Sequence, residues 1–201
     1  AIVLGGGKGQ AIQLDVTNAD ECAHAAEMAR AVGTVSILVN NAGVRPRHEF
    51  HSDSRDRLWQ QAMDVNVNGI RNATLAFLDA LSETKGSVIN ITSITASKAS
   101  PMSIAYSTSK AAAQMLSKVL ALELAHFGVR VNAVAPGVME TEMTRSSRDD
   151  PQRRHRLLDR IPMGRFGDPT ELVGPVVFLA SPMASYMTGA TLCVDGGYLA
   201  T

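Results

Sequence analysis

A tyrosine and a lysine four residues apart, in Tyr106-Ser107-Thr108-Ser109-Lys110, are the pair best suited to moving a proton. On a helix, positions four apart share a face. A phenol with an ordinary pKa near 10 is a poor acid or base at neutral pH. An ammonium beside it is expected to stabilise the phenolate and draw that pKa down. Ser93, just past a strand, can donate a hydrogen bond to a substrate oxygen. A carbonyl needs such a donor as hydride arrives and negative charge builds on oxygen. Each residue also has a plainer reading. With three tyrosines and five lysines the spacing arises by chance too, and a serine after a strand is more often a cap than a catalyst.

Further candidates follow the same edge. Asn40-Asn41-Ala42-Gly43 succeeds the apolar run Ile37-Leu38-Val39. Small residues there let backbone approach a flat ring or a phosphate, and the amides can brace neighbouring strands; an ordinary Asn/Gly turn is the alternative. Asp15 could accept from an adenine amino group or cap the helix beginning near Asn18, and the cap is favoured. Asn66-Val67-Asn68-Gly69 opens a helix, and Pro136-Gly137 with Thr141 leaves another strand. All of these sit at or just beyond the carboxyl end of a predicted strand or on the helix that follows. That is where ligands bind in open parallel sheets.

The elements that must position them alternate. Ala1–Leu4, Ile12–Val16, Ser36–Val39, Ser87–Ile91, Val129–Ala133 and Thr191–Val194 are predicted strands, rich in β-branched residues. Their apolar runs are continuous, as in strands covered on both faces. Asp20–Val32, Ser54–Leu81, Ile104–Phe127 and Glu171–Ala180 carry helical spacing, with Gly33 and Gly128 placed as C-caps. This predicts an α/β fold of three layers, a doubly wound parallel sheet in a single domain over residues 1–201. One junction breaks the pattern. Ala1–Leu4 runs into Gly5-Gly6-Gly7 only seven residues before Ile12, whereas a βαβ unit takes roughly thirty. The first βαβ unit is therefore incomplete, with a segment of roughly thirty residues or more expected to be missing between Gly5 and Gln10.

Composition narrows the function. Nineteen Lys and Arg balance nineteen Asp and Glu, which gives no electrostatic reason to expect nucleic acid or an acidic membrane. Apolar runs fall short of the roughly 20 residues that span a bilayer, and no secretory leader opens the chain. Cys22 and Cys193 stand apart, and the five histidines have no metal-ligand spacing. A reducing cytoplasm and no metal are expected.

Taken together, Asp15-Val16, Asn40-Asn41-Ala42-Gly43, Asn66, Ser93, Tyr106-x-x-x-Lys110, Pro136-Gly137 and Thr141 resemble the short-chain dehydrogenase/reductase family in order and spacing. Ile161-Pro162-Met163-Gly164-Arg165, Thr188-Gly189 and Val194-Asp195-Gly196-Gly197 extend the resemblance to the end of the chain. It implies a Rossmann fold and hydride transfer between NAD or NADP and a secondary alcohol or ketone. It is nearest in look to 3-oxoacyl-carrier-protein reductases, with a sugar or polyol dehydrogenase of the same family as the alternative. It implies Tyr106 as general acid/base and Lys110 as the residue that tunes it and holds the nicotinamide ribose. Ser93 would polarise the substrate oxygen, and Asn66 would kink its helix and hold a water leading from Lys110 to solvent. Gly5, Asp15, Val16, Asn41, Ala42, Gly43, Pro136, Gly137, Met139 and Thr141 would join Tyr106 and Lys110 around the cofactor.

The resemblance also implies a homotetramer built on the long apolar helices. The family's three spaced glycines are not continued past Gly5, and its second strand, which selects NAD or NADP, is absent. A non-catalytic dinucleotide-binding protein on the same fold is the reading from another class. Seven arginines between Arg145 and Arg165, with Arg45 and Arg47 on the same rim, could form a lid over residues 142–165 that attracts a carboxylate or phosphate on an acidic substrate. A solvated charged face is the favoured alternative.

Overall fold

The computed structural model describes residues 7–201. Four parallel strands lie side by side in chain order: β1 (Ile37–Asn40), β2 (Ser87–Ile91), β3 (Arg130–Pro136) and β4 (Thr191–Val194). The helices are α1 (Ala19–Val32), α2 (Arg55–Met63), α3 (Gly69–Ala76), α4 (Leu78–Thr84), α5 (Ile104–Leu124), α6 (Arg145–Arg148), α7 (Pro151–Leu158) and α8 (Val173–Ala180). Successive strand residues point to opposite faces. Val88 and Val131 accordingly pack with Leu81, Ala121 and Leu124 from α4 and α5, while Ile89 and Val134 pack with Leu179 and Ala184 on the other side. Burial on both faces, predicted from the continuous apolar runs, holds for β2 and β3 but not for β1 and β4, which are half-buried or exposed, and the result is a three-layer Rossmann-type α/β domain.

Several boundaries differ from expectation. Ala1–Leu4 and Gly5 lie outside the described residues. Ile12–Val16 is irregular rather than a strand. A strand needs a neighbour for its N–H and C=O groups, and this segment has none in a ladder among the described residues. Its end is fixed by side chains instead: Asn72 Nδ2 donates to the Val16 carbonyl at 3.1 Å. The helix expected over Ser54–Leu81 is three helices, with a π-helical turn at Asp64–Asn68 between α2 and α3. β3 starts one residue later than predicted and continues to Pro136, where its last residues pair with β4. At Glu171, Pro169–Leu172 first forms a 3₁₀ turn, closed by a capping box between Asp168 and Glu171, before α8 begins.

One face of β1 is thinly covered. Leu38 joins the cluster under α4 and α5. Ile37 and Val39 point the other way and are 48 % and 40 % exposed, because α8 packs on β2 and β3.

Candidate active site

The candidate residues converge at the carboxyl ends of the strands. A cavity of about 520 Å³ is lined by Asn41, Ala42 and Gly43 beyond β1, by Ser93 beyond β2, and by Pro136, Gly137, Met139 and Thr141 at and after the end of β3. Tyr106 and Lys110 reach it from the first turns of α5. Ten of the predicted site residues thus share one cavity. Three others do not. Asn66 lies behind it, and Asp15 and Val16 are on the far side of α3, near Asn72. Asp15 accepts from the Thr17 N–H at 2.9 Å and the Thr17 hydroxyl at 2.8 Å, and Asn18 caps α1. The favoured cap reading of Asp15 is therefore replaced by a local turn, a common use of aspartate before a helix.

Lys110 is nearly enclosed. Its Nζ donates to the Ile91 carbonyl at the end of β2 at 2.7 Å. Among the described residues it forms no ion pair, and burial pulls its pKa down to about 8. The Tyr106 phenol departs from expectation. Burial pushes its pKa up, with the Ser93 hydroxyl and the Arg45 guanidinium pulling it partly back. Lys110 Nζ is 6.0 Å from the ring centroid, about as far as the Arg45 guanidinium at 5.7 Å. Loss of water around a phenol only 8 % exposed outweighs a cation at that distance.

Ser93 is a cap as well as a cavity residue. Its Oγ accepts from the Thr95 N–H at 3.1 Å and from the Thr95 hydroxyl at 3.0 Å, opening the 3₁₀ turn Ile94–Ala96. With both acceptor positions filled, its own O–H is left to donate into the cavity.

Asn66 explains the broken helix. Completely buried, it accepts from the Val44 N–H at 2.9 Å and donates to the Val44 carbonyl and to Ser109 Oγ, each at 2.9 Å. These bonds tie the π turn to the exit of β1 and to the helix carrying Lys110. A π bulge at such a point re-aims a helix that propensity alone would keep straight. Gly43 makes the approach possible: a Cβ there would lie 3.2 Å from Asn66 Oδ1 and 3.4 Å from Lys110 Nζ. At Gly137 a Cβ would come within 2.7 Å of the Asp195 Cα, so glycine lets the ends of β3 and β4 close up. Asn40 braces the sheet as its type suggested, donating to Asn90 Oδ1 at 2.8 Å.

Sequence reasoning missed Ser109, the partner of Asn66, although it stands inside the Tyr106-to-Lys110 stretch. It also missed Tyr198, which lines the cavity directly after Gly196-Gly197. Between residues 142 and 165 most arginines are engaged on the surface. Arg145 pairs with Glu142 at 2.6 Å, Arg153 with Asp150 at 3.3 Å, and Arg160 donates to the Tyr198 hydroxyl at 3.2 Å. The segment is pinned at its start, where Thr144 Oγ1 donates to the Met139 carbonyl at 2.5 Å and Arg148 to the Thr141 carbonyl at 3.1 Å. No helix among the described residues is long and apolar enough to cross a membrane.

Small residues and bare backbone at Asn41–Gly43 and Pro136–Gly137, with Lys110 and Thr141 as polar groups, suit a flat heterocycle and its ribose. Among the described residues no glycine-rich turn enters the cavity to cradle a pyrophosphate.

The profile of the family described as enoyl-(acyl carrier protein) reductase matches residues 3–199. Galactitol 2-dehydrogenase (L-tagatose-forming) of Cereibacter sphaeroides is 44 % identical over 198 residues, 97 % of this chain and 78 % of that protein. A 3-oxoacyl-acyl-carrier-protein reductase of Staphylococcus epidermidis is 36 % identical, over 93 % of this chain and 76 % of that protein. The crystal structure of a gluconate 5-dehydrogenase from Burkholderia cenocepacia in complex with NADP and tartrate superposes with a TM-score of 0.90 at 35 % identity, covering 94 % of this chain and 74 % of the other. With its family profile, its relatives and its fold in agreement, the chain belongs to the short-chain dehydrogenase/reductase family, NAD(P)-dependent enzymes that act on hydroxyl groups.

Proposed function

We propose that this chain is an NAD(P)-dependent dehydrogenase of polyhydroxylated secondary alcohols, a sugar or polyol dehydrogenase, in which Tyr106 exchanges the proton. The observation that carries the reading is the meeting of the Tyr106 phenol, the Ser93 hydroxyl and the Lys110 ammonium in one cavity at the strand ends. The galactitol dehydrogenase relative, at 44 % identity against 36 % for the 3-oxoacyl reductase, favours a sugar or polyol over an acyl thioester.

Asn41, Ala42, Gly43, Pro136, Gly137, Met139, Thr141 and Lys110 would hold NAD or NADP. When bound, it supplies the hydride acceptor or donor. Ser93 donates its remaining O–H to the substrate oxygen and orients it. Tyr106 removes the hydroxyl proton in oxidation and returns it in reduction. Lys110, held by the Ile91 carbonyl, keeps a positive charge beside the phenol as that proton leaves. Both side-chain N–H donors of Asn66 are engaged, so a water on the way from Lys110 to solvent would be held by its main chain or by the remaining lone pair of Oδ1. Residues 142–165 act as a lid over the substrate. Incubating the protein with NAD or NADP and a panel of polyols, sugars and 3-oxoacyl thioesters, followed by nicotinamide absorbance, is expected to give turnover on a polyol or sugar. Turnover confined to the thioesters would reject the sugar reading.

The same reading places the protein in the cytoplasm as a homotetramer. Met115, Val119 and Leu122 form an exposed apolar stripe along α5, of the kind that a second copy covers. It also includes a segment of roughly thirty residues or more between Gly5 and Gln10, for which the bare face of Ile37 and Val39 speaks. Mass spectrometry of the protein from its natural source is expected to give a subunit heavier than 21.4 kDa and a four-copy native mass. A subunit of 21.4 kDa would remove the extra segment.

A further inference from the structure

The cavity holds three cations and no carboxylate: Arg45, Lys98 and Lys110 are its charged lining residues. Two of the three are engaged. Lys110 donates to the Ile91 carbonyl. Lys98 donates to the Thr201 carbonyl and lies over the Tyr198 ring, 5.2 Å from its centroid. Arg45 differs. Its guanidinium lies 5.7 Å from the Tyr106 ring centroid, and its Nε is buried with no hydrogen-bond partner. Among the described residues it forms no ion pair. An enclosed, unsatisfied donor on a charged group is costly and uncommon in folded proteins.

Its surroundings add to the imbalance. Arg47, two residues on, donates to Ser147 Oγ at 3.3 Å, bridging the β1 exit to α6. Burial and the nearby positive charges of Arg45 and Arg153 all work against the charge of Arg47. Arg153 has Asp150, but Arg45 and Arg47, close enough for Arg45 to work against the charge of Arg47, form no ion pair among the described residues. Like charges gathered at the edge of a cavity destabilise the fold unless an anion joins them. Most arginines of residues 145–165 find an acid or a main-chain carbonyl of their own. The two on the 45–47 turn do not.

From this geometry we propose that the substrate carries an anionic group, a carboxylate or a phosphate, and that Arg45, supported by Arg47, anchors it beside Tyr106. This deepens the dehydrogenase reading and rests on it for the chemistry, though not for the binding. A planar guanidinium with a free edge matches either group through two parallel N–H donors. The anchor fixes one end of the molecule, so the hydroxyl to be oxidised is held at the phenol and Ser93.

The test uses three molecules that share a carbon chain: D-glucitol, D-gluconate and D-glucitol 6-phosphate. Calorimetric titration of the full chain is expected to register at least one of the two anions with at least ~10-fold higher affinity than glucitol. In Arg45→Gln that preference is expected to fall by about 10- to 100-fold, the range for a hydrogen bond to a charged group. Arg45→Lys should keep part of it, and Arg47→Gln should weaken it less than Arg45→Gln. Whichever anion binds distinguishes a carboxylate from a phosphate.

Turnover is read as the ratio of kcat/KM between anion and polyol. The loss of a positive charge near Tyr106 affects both substrates and cancels in that ratio. Equal affinity for all three molecules, binding of neither anion, or an unchanged preference in Arg45→Gln would overturn the proposal. Anion binding that depends on Arg45 without any turnover would uphold the anchor and reject the dehydrogenase reading instead.

Discussion

Tyr106→Phe is expected to lower kcat by about 10³-fold, within the range that one positioned acid/base contributes, while cofactor affinity stays nearly unchanged. The substitution removes one oxygen and keeps the ring that packs between Arg45 and Lys110, so the cavity wall survives and the proton exchange does not. Steady-state rates with the best polyol and a nicotinamide fluorescence titration would separate the two effects. Because burial raises the Tyr106 pKa, the phenolate needed for oxidation forms more readily as pH rises. Wild-type kcat/KM for oxidation should therefore climb through the alkaline range, and the residual rate of Tyr106→Phe should lack that climb. A variant retaining a tenth of wild-type turnover would mean that another group carries the proton.

The second large effect couples activity to stability. Lys110 is 4 % exposed, and its pKa is drawn from 10.5 to about 8. Below pH 8 both the folded and the unfolded chain hold the proton, so the penalty for charging the group inside the fold is fully present. That penalty is on the order of 3 kcal/mol. Between pH 8 and about 10.5 the folded chain sheds the proton first, and the penalty fades as pH rises. Lys110→Met fills the same space without charge and leaves only the Ile91 carbonyl unpartnered, a loss of about 1 kcal/mol. It is expected to melt about 5 °C higher than wild type at pH 7, with the gain shrinking toward pH 10, and to lose at least ~10²-fold in kcat. A less stable variant at pH 7, or a gain that grows with pH, would contradict the burial account. With the expected gain, the site joins those that trade fold stability for chemistry.

How far the sequence reaches can be traced through single residues. Ser87–Ile91 is legible to the residue because its apolar run is buried from both sides, a local signal of a global fact, and Thr191–Val194 is legible from its β-branched run although it is only half-buried, with Cys193 exposed. Ile12–Val16 carries the same signal without a ladder partner among the described residues, and strand identity depends on that distant partner. The π turn at Asn66 is invisible to periodicity. It exists through hydrogen bonds to Val44 and Ser109, which are 22 and 43 positions away. Ten candidate residues line one cavity because they follow strand ends that the pattern locates, or stand on the helix after one. The direction of the Tyr106 pKa was misjudged, because spacing reveals a neighbouring cation but not the water lost around the phenol. That Arg45 has no ion pair among the described residues could not be read at all. It depends on which acids fail to arrive from elsewhere in the chain.

The attachment of residues 142–158 has a consequence for how such enzymes diversify. Two of their anchors, Thr144 to the Met139 carbonyl and Arg148 to the Thr141 carbonyl, are short-range bonds made at the exit of β3, and a third, Arg47 to Ser147 Oγ, comes from the exit of β1, whereas the proposed proton-handling groups hang from α5 and β2. The roof of the pocket can therefore be exchanged as a cassette, altering which molecules are admitted, while the chemical engine beneath is inherited untouched.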